Sequence, residues 1–190
     1  MNLSPNTRSA TVDDIPGIVS LQTANLYTNL SQADRLAYGF VTTPFSVEQL
    51  QRLMAEEGSF VAEKGDAIVG YVFAASWDYF SQWEIFPYMV SRFPQLERFQ
   101  GQTITAQNSF QYGPICIDRN QRGTGVFPQL FATMCDGMKS KYPIGYTFIN
   151  QKNCTSVAAH RKLPLQVMDE FEFNDNAFYG LAFSTQNPIA

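Results

Sequence analysis

The chain is poor in the residues that build metal and disulfide sites. It has one histidine, too few for an imidazole cluster. Its three cysteines, Cys116, Cys135 and Cys154, are odd in number and show no Cys-x-x-Cys spacing. That pattern argues against both a disulfide framework and a structural zinc site, leaves no metal centre to expect, and predicts buried free thiols. No apolar run approaches the ~20 residues of a membrane helix, the longest lying around residues 67–75. The polar start Met1-Asn-Leu-Ser-Pro lacks a signal-peptide core, so a cytoplasmic protein is expected, without a membrane partner. Positive charge is also scarce: 13 Lys and Arg against 17 Asp and Glu give −4, which disfavours non-specific nucleic-acid binding and agrees with a cationic or amine-bearing substrate.

What is present suits a single domain over residues 1–190, since 45% hydrophobic residues supply a sizeable core. Thr11 and Asp14 read as a capping box opening a helix to about residue 27, and Ser46 with Gln49 as another before a helix closed by Gly58. A loop or irregular helix lies between them. Residues 59–64 and 67–75, joined by a Gly65-Asp66 turn, predict a hairpin, and residues 167–173 and 177–184 predict a second one that closes the chain. Residues 110–117 and 144–149 are further strands, with a helix from about residue 124 between them. The alternation predicts a mixed α/β sandwich. Residues 77–99 hold eight of the 27 aromatic residues and suggest core or a subunit contact, with a pocket wall as the sharper alternative.

The most informative stretch runs from Ile115 to Phe131, where an apolar run breaks into a basic, glycine-spaced turn that opens a helix. A helix start carries unpaired N–H groups and the positive end of the helix dipole, a seat for phosphate. Gly123 and Gly125 give clearance, and Arg119 and Arg122 give charge. The turn lacks the Gly-Lys-Ser/Thr of a P-loop, and Pro128 stands where a dinucleotide fingerprint needs a third glycine. Pro128 tolerates only the first helical turn, so the open amides belong to residues 123–127. Just upstream, Gly113-Pro114 interrupts a strand; proline cannot donate to a ladder, so the strand must bulge there or end as an edge.

These residues resemble the GNAT superfamily of N-acetyltransferases, whose signature is Arg/Gln-x-x-Gly-x-Gly/Ala. Arg122, Gly123 and Gly125 match it in part, with Phe127 in its last place. Further landmarks follow in order: Arg8 to Ile18 is similar to the family's opening strand and helix, and Asn153, Ser156 and His160 are similar to its Asn-x-x-Ser/Ala segment followed by Tyr or His. Pro164-Leu165 replaces the usual Gly-Phe. The resemblance implies a mostly antiparallel central sheet of six to seven strands flanked by about four helices, the fourth strand bulged and splayed from the fifth. It also implies an aromatic-rich insertion at about residues 77–108.

The function implied is transfer of an acetyl group from acetyl-CoA to a primary amine, on a small molecule or a peptide, directly within a ternary complex. The alternative is a non-catalytic acyl-CoA sensor or scaffold of the same fold. The resemblance assigns the cofactor to Ile115, Cys116, Ile117, Arg122, Gly123, Thr124, Gly125, Val126, Phe127, Asn153 and Ser156. It places His160 as general acid, an N–H of Cys116 or Ile117 as oxyanion donor, and Tyr112 beside the reacting centre. No general base stands out, because Gln111 occupies the place of a strand glutamate and Glu84 and Asp78 read as solvated charges. Many relatives of this kind are dimers, so a homodimer is among the expectations.

Overall fold

Seven strands pair into one sheet in the computed structural model, which describes residues 4–186. Met1 to Leu3, in the polar start considered above, lie outside the described residues. The strands are β1 (Asn6–Ser9), β2 (Ser59–Lys64), β3 (Ala67–Ala75), β4 (Ser109–Ile117), β5 (Ile144–Asn150), β6 (Gln166–Phe173) and β7 (Asn176–Ser184). Their order is β1-β2-β3-β4-β5-β7-β6, and every neighbouring pair is antiparallel except β4 with β5. The two expected hairpins are present, with turns at Gly65 and at Asn174 to Asp175.

Side-chain alternation divides the core between the two faces of the sheet. On one face Val72, Phe110 and Tyr112 pack under Leu130, Phe131 and Met134 of α6 (Val126–Met138). On the other, Tyr71 and Phe73 meet α1 (Ile15–Asn25) and α3 (Val47–Ala55) through Ile18, Leu50 and Leu53. β3 is buried on both sides, which is why its sequence reads as an unbroken apolar run rather than an alternating one. The capping box at Ser46 and Gln49 forms as the sequence predicts.

Among the described residues seven α-helices form where about four were expected. The additional ones are short: α2 (Gln32–Tyr38), α4 (Trp77–Phe80) and α5 (Ile85–Arg92); α7 (Cys154–His160) completes the set. Helices of one or two turns carry too little periodicity to register in a sequence and are held by packing. The aromatic segment is mainly core: Trp77, Phe80, Phe86 and Phe93 are buried, and the Trp77 indole N–H donates to Ser109 Oγ at 3.0 Å. Arg92 fixes it to the closing hairpin by donating to both carboxylate oxygens of Asp169 at 2.6 and 2.8 Å.

Phe183 of β7 is fully buried and folds over Gly145 of β5. Its ring centroid lies 4.8 Å from Phe131 and 5.5 Å from Tyr112, so it has no free space into which to retreat. Gly145→Ala places a methyl group inside that ring and is expected to lower stability by about 1–3 kcal/mol in urea denaturation. An unchanged midpoint would show that the packing beneath β4 and β5 yields.

Candidate active site at the split between two strands

β4 and β5 pair only at their first three residues, Ser109 with Ile144, Phe110 with Gly145 and Gln111 with Tyr146. Both strands continue, to Ile117 and Asn150, without further pairing. The cause lies on β4. Against β3 its register slips where Val72 faces Ile115 and Ala74 faces Tyr112, so two residues of β4, Gly113 and Pro114, oppose one of β3. That is a β-bulge: Pro114 has no N–H to give a ladder, and Gly113 at φ +116° occupies backbone space that favours glycine. The bulged, splayed strand expected from the sequence is therefore present.

Beyond the bulge, ladder alternation decides which amides face the split. The Asp118 N–H bonds the Val69 carbonyl at 2.8 Å, so the N–H of Cys116, two residues back, also points to β3, and those of Ile115 and Ile117 point away from it. The Ile117 carbonyl, facing the same way, accepts from Arg122 Nε at 3.1 Å. This revises the expectation for Cys116, whose amide serves the sheet. Its thiol packs in the core beside Tyr71, where burial pushes its pKa up to about 12. Cys135 is likewise buried, whereas Cys154 is exposed, against expectation, in the first turn of α7.

The glycine-spaced turn follows at once. Asp118 Oδ1 caps it through the Asn120 N–H at 2.8 Å, and the Thr124 hydroxyl donates to the Gln121 carbonyl at 2.6 Å. Among the described residues, the amides of Gly123, Thr124, Gly125, Val126 and Phe127 have no protein acceptor. The space a Cβ would take at Gly123 and Gly125 is open. Arg122 turns inward, donating to carbonyls of Ile117 and Tyr38 and lying 3.4 Å from Asn25 Oδ1. Those hydrogen-bond partners are neutral, although the Asp118 carboxylate lies close enough to act on its charge; Arg122 sits at the edge of a cavity of about 720 Å³ that Gly123, Gly125 and Lys162 also border. The link to Tyr38 was not legible in the sequence, because it joins residues 84 apart.

α7 closes the split. Asn153 Oδ1 accepts from the Ser156 N–H at 3.3 Å as a helix cap, and its Nδ2 lies 3.4 Å from the Phe40 carbonyl. His160 is 4% exposed. Its Nδ1 lies 2.8 Å from the Ser156 carbonyl, which can only accept, so Nδ1 carries the hydrogen and Nε2 accepts from the Tyr112 hydroxyl at 3.0 Å. Burial pushes the histidine down to about 4, leaving it neutral at pH 7. The geometry thus differs from that of a general acid titrating near 6.5: Nε2 holds a lone pair, not a proton.

A second cavity of about 800 Å³ adjoins the first through Phe40, Ile115, Asn153, Ser156 and His160. Phe80, Phe86, Phe148 and Phe178 border it, so the aromatic segment is pocket wall as well as core. Its only charged neighbours are Arg35 and Lys152; no carboxylate borders either cavity among the described residues. Glu84 and Asp78 are exposed elsewhere. The acidic overall charge, which composition linked to a cationic or amine-bearing substrate, therefore does not translate into an acidic lining of either cavity.

No protein-family model and no curated protein matches the chain. Solved structures do. yncA of Salmonella typhimurium, solved with its cofactor acetyl-CoA, is 12% identical with a TM-score of 0.62, over 99% of this chain and 98% of that one. The ribosomal-protein-alanine N-acetyltransferase of Brucella melitensis is 16% identical with a TM-score of 0.61, over 94% and 99%. The NatC complex bound to Gag peptide and CoA is 10% identical with a TM-score of 0.62, over 99% and 100%. The chain has the fold of the GNAT acetyltransferases.

His160 couples the site to stability. Its value falls from about 6.5 unfolded to about 4 folded, so the unfolded chain takes up a proton first as pH drops. The contribution is complete above about pH 6.5 and is lost progressively towards pH 4, by up to about 3 kcal/mol. Urea denaturation should show this decline, and His160→Gln should flatten it; an equal slope in both proteins would exclude the histidine as its source.

Proposed function

We propose that this protein is an acetyl-CoA-dependent N-acetyltransferase that moves the acetyl group directly to an amine in a ternary complex. The observation that carries this reading is the row of unpartnered amides from Gly123 to Phe127, placed beside a sheet that opens after three paired residues. The residues suit the cofactor. Bare amides at the start of a 13-residue helix, two glycines without obstruction and the Arg122 guanidinium fit a diphosphate, and among the described residues no carboxylate lines the cavity. The main chain of Ile115 and Ile117 offers hydrogen bonds to an amide-bearing arm lying in the split, and Asn153 and Ser156 border its other side. Bound there, acetyl-CoA supplies an activated acyl carbon with a thiolate leaving group.

The chain's own groups then have modest tasks, as positioning and electrostatics supply most of such a rate enhancement. The Ile115 amide, first after the bulge, is the oxyanion donor in this reading, in place of Cys116. His160 is a positioning residue: it fixes the Tyr112 hydroxyl, which is fully buried at the border of the cavity of about 800 Å³, the acceptor cavity in this reading. Neither group holds a readily released acid proton at neutral pH, since burial drives Tyr112 well above the ordinary phenol value. No helix of the described residues is long and apolar enough to cross a membrane, and a cytoplasmic enzyme is part of the reading.

Acetyl-CoA should raise the melting temperature, and an amine panel should release free thiol. Gly125→Val, which puts a side chain into the open seat at φ +91°, should weaken acetyl-CoA binding by roughly tenfold or more while circular dichroism stays unchanged. Undiminished affinity in the folded variant would refute the phosphate seat, and binding without thiol release from any amine would mark a sensor instead.

A further inference from the structure

Gln111 lies on β4 two residues before the bulge, is 2% exposed and borders the acceptor cavity. Its Nε2 donates to the Tyr112 carbonyl at 2.8 Å, the main-chain group stranded where β4 leaves β5. That bond fixes the orientation of the amide, because only the nitrogen can donate to a carbonyl. The remaining atom, Oε1, is buried and has no partner among the described residues. A buried acceptor without a donor costs on the order of 1–3 kcal/mol, which a bound N–H would recover.

The surroundings state what kind of N–H this is. The cavity is walled by phenylalanines, with Phe148 5.6 Å from Phe86 and 5.4 Å from Phe178. Its titratable or charged neighbours are Arg35 on α2, Lys152 before α7, His160 on α7, and Tyr27 and Tyr112. Arg35 is stacked on Tyr27 at 4.0 Å and donates to the Leu30 carbonyl at 3.0 Å. His160 is neutral, and none of these groups is an anion. An ammonium entering this space would lose its water, gain no counter-ion and face two cations.

We propose that Gln111 is the specificity-determining residue for the acceptor, and that the acceptor class is a weakly basic amine, neutral at pH 7, on an aromatic body: an arylamine. This rests on the acetyltransferase reading given above. Gln111 Oε1 accepts one N–H of the neutral amine and orients the nitrogen lone pair away from itself. The nitrogen forms its bond to the acyl carbon, the C–S bond breaks, and the surplus N–H proton passes to the sulfur. No enzymic base is consumed, which accounts for a glutamine where a base would otherwise stand.

The test compares aniline with benzylamine, which share a ring but differ in charge at neutral pH, binding to the complex of the protein with CoA by calorimetry. At pH 7 aniline should bind at least about tenfold more tightly, and benzylamine should gain affinity as pH rises from about 7 to 9, while aniline stays level. Gln111→Leu should lose about tenfold for aniline with CoA affinity intact, and Gln111→Glu should turn the preference towards benzylamine. Equal affinities at pH 7, or an unchanged aniline affinity in Gln111→Leu, would overturn the proposal. Thiol release from acetyl-CoA by benzylamine but not aniline would overturn it while leaving the acetyltransferase reading in place. Failure of the protein to bind CoA at all would remove that reading first.

Discussion

The site depends on a strand that cannot complete its ladder. Proline at position 114 removes a donor, Gly113 takes a backbone conformation that other residues avoid, and β4 gains one residue against β3. Pairing with β5 ends at Gln111 and Tyr146, and the two strands diverge over the length that remains. The local geometry follows from that divergence. The carbonyl of Tyr112 must be satisfied by a side chain, the amides of Ile115 and Ile117 face an opening, and α7 and the 38–41 segment close over it.

The second half of the arrangement is electrostatic. A helix of 13 residues begins with five amides that have no protein acceptor among the described residues, while the nearest cation, Arg122, is held by neutral oxygens. Acidic side chains outnumber basic ones in the sequence, yet among the described residues none borders either cavity. Local distribution, not net charge, sets what the site admits. His160 illustrates the same point from the other direction: its place in the sequence suggests an acid, but burial and the Ser156 carbonyl make it a neutral acceptor for Tyr112.

Much of the fold is legible from the chain. Capping boxes, two hairpins with short turns, and the Gly113-Pro114 interruption are local signals, and each appears where the sequence puts it. The open, glycine-spaced turn before α6 is legible for the same reason, since Pro128 and the paired glycines restrict the backbone within a few residues. Less legible are α2, α4 and α5, which are too short for periodicity, and long-range links such as Arg92 to Asp169. The direction of the Cys116 amide depends on ladder parity, and the orientation of the Gln111 amide on a carbonyl left free by a neighbouring strand. Neither can be read without knowing the pairing.

In the proposed function, the main chain at the mouth of α6 and along the open edge of β4 forms one continuous binding surface. Titration of ¹⁵N-labelled protein with CoA, followed by two-dimensional NMR, tests it most directly. The amide signals of Gly123 to Phe127 should shift together with those of Ile115 and Ile117, while that of Cys116, tied to β3, should shift least among its neighbours. Shifts confined to other elements, with these amides unmoved at saturation, would contradict it.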